Sequence, residues 1–371
     1  MLIGIDASRT TAAQRTGTEA YSLALTRALL DLPEMHRWRL YFNHAPPAGV
    51  WPARAGVELR AMPWPRLWTH MRLSTEMLVA PPDVLFVPAH VLPIIAPRRC
   101  VATVHDLGYR YVPAAHTPAA RWYLDLSTRY NARRASLILA DSAATRADLL
   151  RFYGTPADKI RVVYPGRPEG VERVSDASRI RDVLGRLGLE RDYILYVGTL
   201  QPRKNLIRLI EAYALLAAGW DAGDLPLLVL AGRRGWLSEP IARSIDRADL
   251  AAYVRLTGYV ADADLPALYS GARLFAFPSL YEGFGFPILE AMACDVPVVC
   301  SRTSSLPEVA GEAALLVNPL DVSELAAALR LGLTDEAQRG RLIEAGRRQA
   351  ARFSWRAAAR ETLAALEEAG S

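Results

Sequence analysis

The chain has 371 residues, 51% of them hydrophobic and 22% charged, and a net charge of +5. That length exceeds twice the common domain of about 100–150 residues, so two domains are expected, and the composition excludes a disordered chain. Cys100, Cys294 and Cys300 are far apart and form no CxxC pair, which excludes a disulfide framework and a zinc site and fits a reducing compartment.

Short apolar runs alternate with helical patterns from end to end, the mark of βαβ units and parallel sheets. Leu2–Asp6 reads as a first strand and Thr18–Leu32 as an amphipathic helix; Arg39–Phe42 and Val57–Ala61 are further strand candidates. Val84–Pro88, Cys100–His105 and Leu137–Ala140 read as strands buried on both faces. Ser142 suits the N-cap of a helix running to about Tyr153, and Ile160–Tyr164 is another strand. The cluster Pro165-Gly-Arg-Pro-Glu-Gly170 marks a linker, followed by a polar helix near Ser175–Leu187. The alternation then restarts, with strands at Tyr193–Gly198, Leu227–Ala231, Val254–Thr257, Leu274–Phe277 and Val296–Cys300, and ends on a helix at Ser354–Glu368. Two successive α/β sets predict two Rossmann-like domains facing each other across a cleft. Such sheets bind ligands beyond the carboxyl ends of their strands, so motifs at those ends carry most weight.

Charge is unevenly spread. Residues 1–172 hold 21 Arg and Lys against 14 Asp and Glu, while the remainder holds 23 against 25. A basic first half fits an anionic surface or acceptor; an Arg-rich composition bias accounts for it equally well, since Lys159 and Lys204 are the only lysines. No nucleic-acid-binding signature accompanies it, so nucleic acid is not an expected partner. The stretch Trp51 to Arg72, with Met62-Pro-Trp64-Pro-Arg-Leu-Trp68, interleaves tryptophan and arginine. It suits either peripheral contact with an anionic membrane or packing against a sheet edge. No signal peptide and no bilayer-spanning run is evident, so the expected location is the cytoplasm, or the inner face of the cell membrane.

The sharpest motif is Glu282-Gly-Phe-Gly-Phe-Pro-Ile-Leu-Glu290, after the strand Leu274–Phe277 and the turn Pro278–Tyr281. Pro287 falls where the first residue of a helix is expected, and Gly283 and Gly285 let backbone approach a ligand closely. Amides at that helix start form an anion site, flanked by two carboxylates suited to accept from sugar hydroxyls. A Gly-rich turn with two solvated glutamates shares this pattern. Gly198-Thr-Leu-Gln-Pro-Arg203-Lys204-Asn205, after another strand, places two cations where a diphosphate could sit; an exposed charged helix start is the alternative. His105 ends a buried strand and would enter the cleft, or serve as a structural histidine. Gly17-Thr-Glu19 is a short Gly turn without the dinucleotide fingerprint.

In this order the motifs resemble glycosyltransferase family 4 over nearly the whole chain. Glu282 and Glu290 match its E-x7-E pair and Pro202-Arg-Lys-Asn205 its basic motif. Leu256-Thr-Gly-Tyr-Val260 with Leu265–Ala272, and Ser304-Ser-Leu-Pro-Glu-Val309, are similar to further signatures. His105-Asp-Leu107 together with Gly198–Asn205 resembles bacterial mannosyltransferases of surface polysaccharide synthesis. The resemblance implies a GT-B fold. Residues 1–170 would form an acceptor-side domain joined by the returning helix 354–371, and residues 171–353 a nucleotide-sugar domain. It implies that Glu282 holds donor-sugar hydroxyls, with Gly283, Phe284, Gly285 and Phe286 around it, and that Glu290 holds the ribose. Arg203 and Lys204 would neutralise the leaving diphosphate, His105 would shape the sugar site, Gly17 would meet the β-phosphate or the acceptor, and Gly258 and Tyr259 would frame the base. Two departures stand out: Thr199 occupies a place where many members have Arg, and Gly17 is single where many have two glycines.

The implied reaction is a retaining, metal-independent hexosyl transfer to a glycan or lipid-linked acceptor. GDP-mannose is the first expectation for the donor. A UDP-glucose or UDP-N-acetylglucosamine transferase and a sugar-nucleotide epimerase of the same architecture are the alternatives. No cofactor and no metal is expected, because no DxD-like pair is present in a suitable turn.

Overall fold

The computed structural model describes every residue except 13–16, 34, 48, 52, 90, 222, 234 and 236–238. Two compact units form. Residues 1–107, 118–166 and 353–371 make the first, and residues 108–117 and 167–352 the second.

The first unit is built on one parallel sheet. Its elements are β1 (Leu2–Asp6), α1 (Gly17–Leu30), β2 (Arg37–Phe42), β3 (Val57–Ala61), α2 (Ser74–Val79), β4 (Val84–Val87) and β5 (Cys100–Val104). After the short helix α3 (Gly108–Tyr111), which groups with the second unit, come α4 (Pro118–Arg134), β6 (Leu137–Ala140), α5 (Ala143–Tyr153) and β7 (Ile160–Val162). The strand order is β3-β2-β1-β4-β5-β6-β7. Strands β4 and β5 are buried at every residue, as expected of a parallel sheet covered on both faces. Edge strand β3 instead carries the exposed Glu58 and the half-buried Arg60, charges that discourage pairing with another chain.

The second unit repeats the plan with α6 (Ala177–Arg186), β8 (Tyr193–Val197), α7 (Leu206–Ala218), β9 (Leu227–Ala231), α8 (Glu239–Arg247), β10 (Val254–Gly258) and α9 (Leu265–Ser270). There follow β11 (Leu274–Phe277), α10 (Phe286–Ala293), β12 (Val298–Ser301), α11 (Leu306–Ala310), β13 (Ala314–Val317), α12 (Val322–Thr334) and α13 (Glu336–Ala351). Its parallel order is β10-β9-β8-β11-β12-β13. Both sheets therefore show the 3-2-1-4-5 core of a doubly wound Rossmann fold.

The last helix, α14 (Trp355–Gly370), returns to the first unit. Ser354 caps it by accepting from the Ala357 amide, and Trp355, Ala358, Ala359, Thr362 and Leu366 are buried on its α1-facing side. Burial of Leu366 or Trp355 contributes about 2 kcal/mol each. The outer ion pairs, His36–Glu367 and Arg161–Glu368, add about 0–1 kcal/mol each. The apolar seam is what holds the helix. At Gly166 the chain passes so close that a β-carbon would lie 2.3 Å from the Trp355 nitrogen.

Several boundaries shift by a residue or more from the sequence reading, and some elements are new. The polar helix after the linker begins at Ala177, because the Asp176 carboxylate accepts from the Ser178 and Arg179 amides. Ser142 caps α5 as expected, accepting from the Thr145 amide. The strand expected at Val296–Cys300 runs Val298–Ser301. α4 escapes the sequence pattern because its first six residues, Pro118–Tyr123, are all exposed, leaving no apolar period to read there.

Candidate donor site of the second unit

In the second sheet β8 lies between β9 and β11, so the strand order reverses between β8 and β11. Connections leaving neighbouring carboxyl ends part there, and open α/β sheets hold ligands at that point. The run Gly198–Asn205 follows β8 and the run 278–285 follows β11, so topology alone brings the basic and the acidic motif together.

Local geometry locks the two runs. Pro202–Lys204 makes a single 3-10 turn, closed by Asn205 in the left-handed conformation at φ 60°, which asparagine tolerates better than most residues. The Asn205 amide group donates to the carbonyls of Pro278 at 3.1 Å and Pro319 at 2.6 Å. The Leu280 amide donates to the Arg203 carbonyl at 2.9 Å, and Arg203 Nη1 donates back to the Tyr281 carbonyl at 2.6 Å.

Both cations meet one carboxylate. Arg203 Nη1 lies 2.8 Å from Glu282 Oε2, and Lys204 Nζ lies 2.6 Å from Glu282 Oε1. Lys204 also sits over the Phe277 ring, 4.9 Å from its centroid. Burial by itself would raise the Glu282 pKa, but the charges of Arg203 and Lys204 override it and hold the carboxyl at about 2. Lys204 is buried, so the reading of an exposed charged helix start is overturned for it. Taking the buried charges of Lys204 and Glu282 out of water costs several kcal/mol per ion. The cluster keeps a formal surplus of one positive charge at the place where the fold accepts ligands.

The glutamate loop is held from the turn that leads into α11. The Glu282 amide donates to Ser304 Oγ at 2.9 Å, and Ser305 Oγ donates to the carbonyls of Glu282 at 3.0 Å and Phe284 at 2.7 Å. Gly285 turns the chain at φ 119°, and a β-carbon there would meet Leu306 at 2.8 Å. Gly283, Phe284 and Gly285 are buried, and Phe286 packs edge-on to Phe284. Helix α10 starts at Phe286, so Pro287 is its second residue and not its first. A missing N–H costs nothing at either place, which is why the sequence could not separate them.

Glu290 lies one turn into α10 and accepts from the Tyr269 hydroxyl of α9 at 2.6 Å. Burial raises its pKa, outweighing the Tyr269 bond, and Asp262 adds to the rise. The two motif glutamates thus sit in opposite electrostatic settings. Gly258 ends β10 at φ 72°, and Tyr259 is exposed, its ring lying under the Arg233 guanidinium at 4.7 Å. Thr199 is exposed, and its carbonyl accepts from the Tyr196 hydroxyl at 3.3 Å.

His105 and Gly17 belong to the first unit. His105 Nδ1 lies 2.6 Å from Asp141 Oδ2, joining the carboxyl ends of neighbouring strands β5 and β6. The Tyr21 ring stands edge-on to the imidazole at 4.8 Å, and His105 Nε2 is buried without a hydrogen-bond partner among the described residues. Burial would lower the His105 pKa, but the Asp141 carboxylate reverses this and the net shift is upward. Gly17 is the first residue of α1, and residues 13–16 before it lie outside the described residues.

Two contributors, Asp141 and Tyr111, lie outside every motif, and two more, Tyr269 and Ser305, fall inside the signature-like stretches Leu265–Ala272 and Ser304–Val309 without a role read for them. Asp141, Tyr269 and Ser305 each act on a motif residue from a distant element, a contact that spacing along the chain does not show. Tyr111 of α3 stacks on Tyr281 with centroids 4.5 Å apart, within the second unit.

Two doubly wound parallel units, one with a cationic and acidic cluster at its switch point, have the GT-B plan, and the family models and relatives that match the chain make it a nucleotide-sugar-dependent glycosyltransferase. The chain belongs to glycosyltransferase family 4. The model described as "Glycosyltransferase Family 4" matches residues 16–168, and that described as "Glycosyl transferases group 1" matches residues 185–349. The chain is 38% identical over 271 residues to the O-antigen chain mannosyltransferase B of Escherichia coli, covering 73% of this chain and 70% of that protein. It is 34% identical over 224 residues to the serotype-specific mannosyltransferase WbdA of Escherichia coli, matching 60% of this chain and only 27% of that longer protein. In fold it is similar to sucrose-phosphate synthase from Thermosynechococcus elongatus, with a TM-score of 0.77 and 20% identity over 99% of this chain and 98% of that one.

Proposed function

We propose that the chain moves a mannosyl group from GDP-mannose onto a glycan or lipid-linked acceptor in cell-surface polysaccharide synthesis, with retention at the anomeric carbon and no metal requirement. The names of its relatives support the mannosyl group and the class of product. The observation that carries the chemistry is the pair of cations, Lys204 buried and Arg203 half-buried, held on the Glu282 carboxylate.

As the bond between the anomeric carbon and the diphosphate oxygen breaks, its electron pair goes to the diphosphate. Arg203 and Lys204 stabilise that charge, the role a metal fills in other transferases. Each Glu282 oxygen has a second lone-pair direction beside the one its cation uses, so the carboxylate can orient the cations and also accept from sugar hydroxyls. Glu290, steadied by Tyr269, suits the ribose, and the exposed Tyr259 ring suits the base. The acceptor oxygen attacks from the face the diphosphate leaves, and its proton passes to the departing phosphate oxygen. His105 is assigned to the sugar site, with Asp141 fixing its ring. Gly17 is assigned to the phosphate or acceptor side.

Thermal-shift measurements with GDP-mannose, UDP-glucose and UDP-N-acetylglucosamine test the donor. GDP-mannose is expected to give the largest shift, and a larger shift with a UDP sugar overturns the choice. Release of GDP is expected only when acceptor is present; release that ignores acceptor would count against transfer.

A further inference from the structure

The first unit presents a surface that the transfer chemistry does not use. On α4, residues Trp122, Leu126, Arg129 and Arg133 follow one another at spacings of four, three and four, which places all four on one helical face. All four are exposed, Trp122 at 69% and Leu126 at 48%. Two neighbouring segments join this face through hydrogen bonds. His70 lies 3.2 Å from the Tyr123 hydroxyl, and the Tyr130 hydroxyl donates to the carbonyls of Pro93 and Ile94. The Ile95 amide donates to Ser74 Oγ, tying the second segment to the first.

Those segments also turn apolar groups outward. Leu67, Met71 and Ile94 are exposed at 68%, 51% and 63%. Leu67 moreover sits at φ 53°, a left-handed conformation unfavourable for a leucine, although its side chain meets mostly solvent. By contrast Trp51, Met62 and Trp68 are buried, so the aromatic residues of the Trp51–Arg72 stretch divide between packing and display. Residues 64–73, 92–99 and 118–134 together contain eight arginines and one acidic residue, Asp125.

We propose that this face, made of α4, the turn through Leu67 and Met71, and the loop at Ile94 and Ile95, docks on the anionic headgroups of a lipid bilayer. The inference extends the lipid-linked acceptor suggested above and rests on it. Exposed Trp and Leu beside Arg are the side chains that enter the headgroup and acyl boundary, while the arginines neutralise lipid phosphate. A nucleic acid would use the arginines but not the aliphatic groups. A second copy of the chain would set arginine against arginine across the interface. No helix among the described residues is long and apolar enough to cross a membrane, so contact would be superficial.

Sedimentation with phosphatidylcholine vesicles, with and without phosphatidylglycerol, tests the surface on the full chain. The wild type is expected to bind the phosphatidylglycerol vesicles more tightly, and less so as salt is raised. The exposed-site variant Trp122→Ser/Leu126→Ser is expected to bind them about tenfold more weakly. Arg129→Gln/Arg133→Gln is expected to bind more weakly and with a shallower salt dependence than wild type. The GDP-mannose thermal shift and the unfolding midpoint should match wild type in both variants, so failure of the donor assignment registers separately from failure of the surface. Equal binding to both vesicle types overturns the proposal, as does wild-type binding by the Trp122→Ser/Leu126→Ser variant. So does a concentration-dependent dimer that this variant abolishes, or displacement from vesicles by an oligonucleotide at the same face.

Discussion

Lys204 and Glu282 are 78 residues apart in the chain and 2.6 Å apart in the fold, with 11% and 9% of their side chains exposed. With Arg203 on the other carboxylate oxygen, Glu282 fixes where both cations point. Glu282→Gln keeps the shape and removes the charge. It is expected to lower kcat/KM by about 100- to 1000-fold and to cost about 3 kcal/mol of stability by removing the negative charge that faces the buried Lys204 and the half-buried Arg203. Initial rates and urea unfolding measure these; activity within a few-fold of wild type would contradict the assignment.

The same pair sets an acid limit. Glu282 has a folded pKa of about 2 against an ordinary value of 4.5. The linked stability is therefore fully present above 4.5 and lost as pH falls from there towards 2. Urea midpoints of the wild type should decline across that window, and those of Glu282→Gln should decline less.

His105 behaves with the opposite sign. Its folded pKa lies above 6.5, because the Asp141 carboxylate outweighs the burial that would lower it. Its contribution is complete below pH 6.5 and disappears as pH rises through the folded value. Asp141→Asn should return the His105 pKa to 6.5 or below, read from the imidazole carbon protons in an NMR titration. An unchanged titration would show that Asp141 is not the cause.

Tyr269→Phe removes the hydroxyl that steadies Glu290 and leaves the packing of the ring in place. A lost hydrogen bond of this kind costs about 1 kcal/mol, so donor KM should rise about fivefold while kcat changes little. A fall in kcat with unchanged KM would place Glu290 elsewhere in the reaction.

Excess EDTA is expected to leave the transfer rate unchanged, because Arg203 and Lys204 supply the charge on the diphosphate side. Abolition of activity by EDTA and its recovery with magnesium would refute this.

Much of the architecture was legible in the chain. Runs such as Leu227–Ala231 and Leu274–Phe277 are short and apolar at every position, as strands covered on both faces require, and their alternation with helical patterns gave two parallel sets. The motif residues at strand ends were visible because glycine, proline and paired charges are conspicuous where strands stop. α4 was not, since half of its surface meets water and its sequence carries no apolar stripe. Nor was the division of the Trp51–Arg72 tryptophans between interior and surface, which depends on neighbours far along the chain.

Local residue order by itself determined that basic and acidic clusters lie at carboxyl ends of strands, because β-runs and turn residues are read over a few positions. Only the tertiary structure decided that β8 and β11 are neighbours, and hence that one carboxylate meets both cations, that Tyr269 reaches Glu290 and that Asp141 reaches His105. Strand order is a long-range property set by how the crossovers pack, and the side chains that complete a site come from elements with no periodic relation to it.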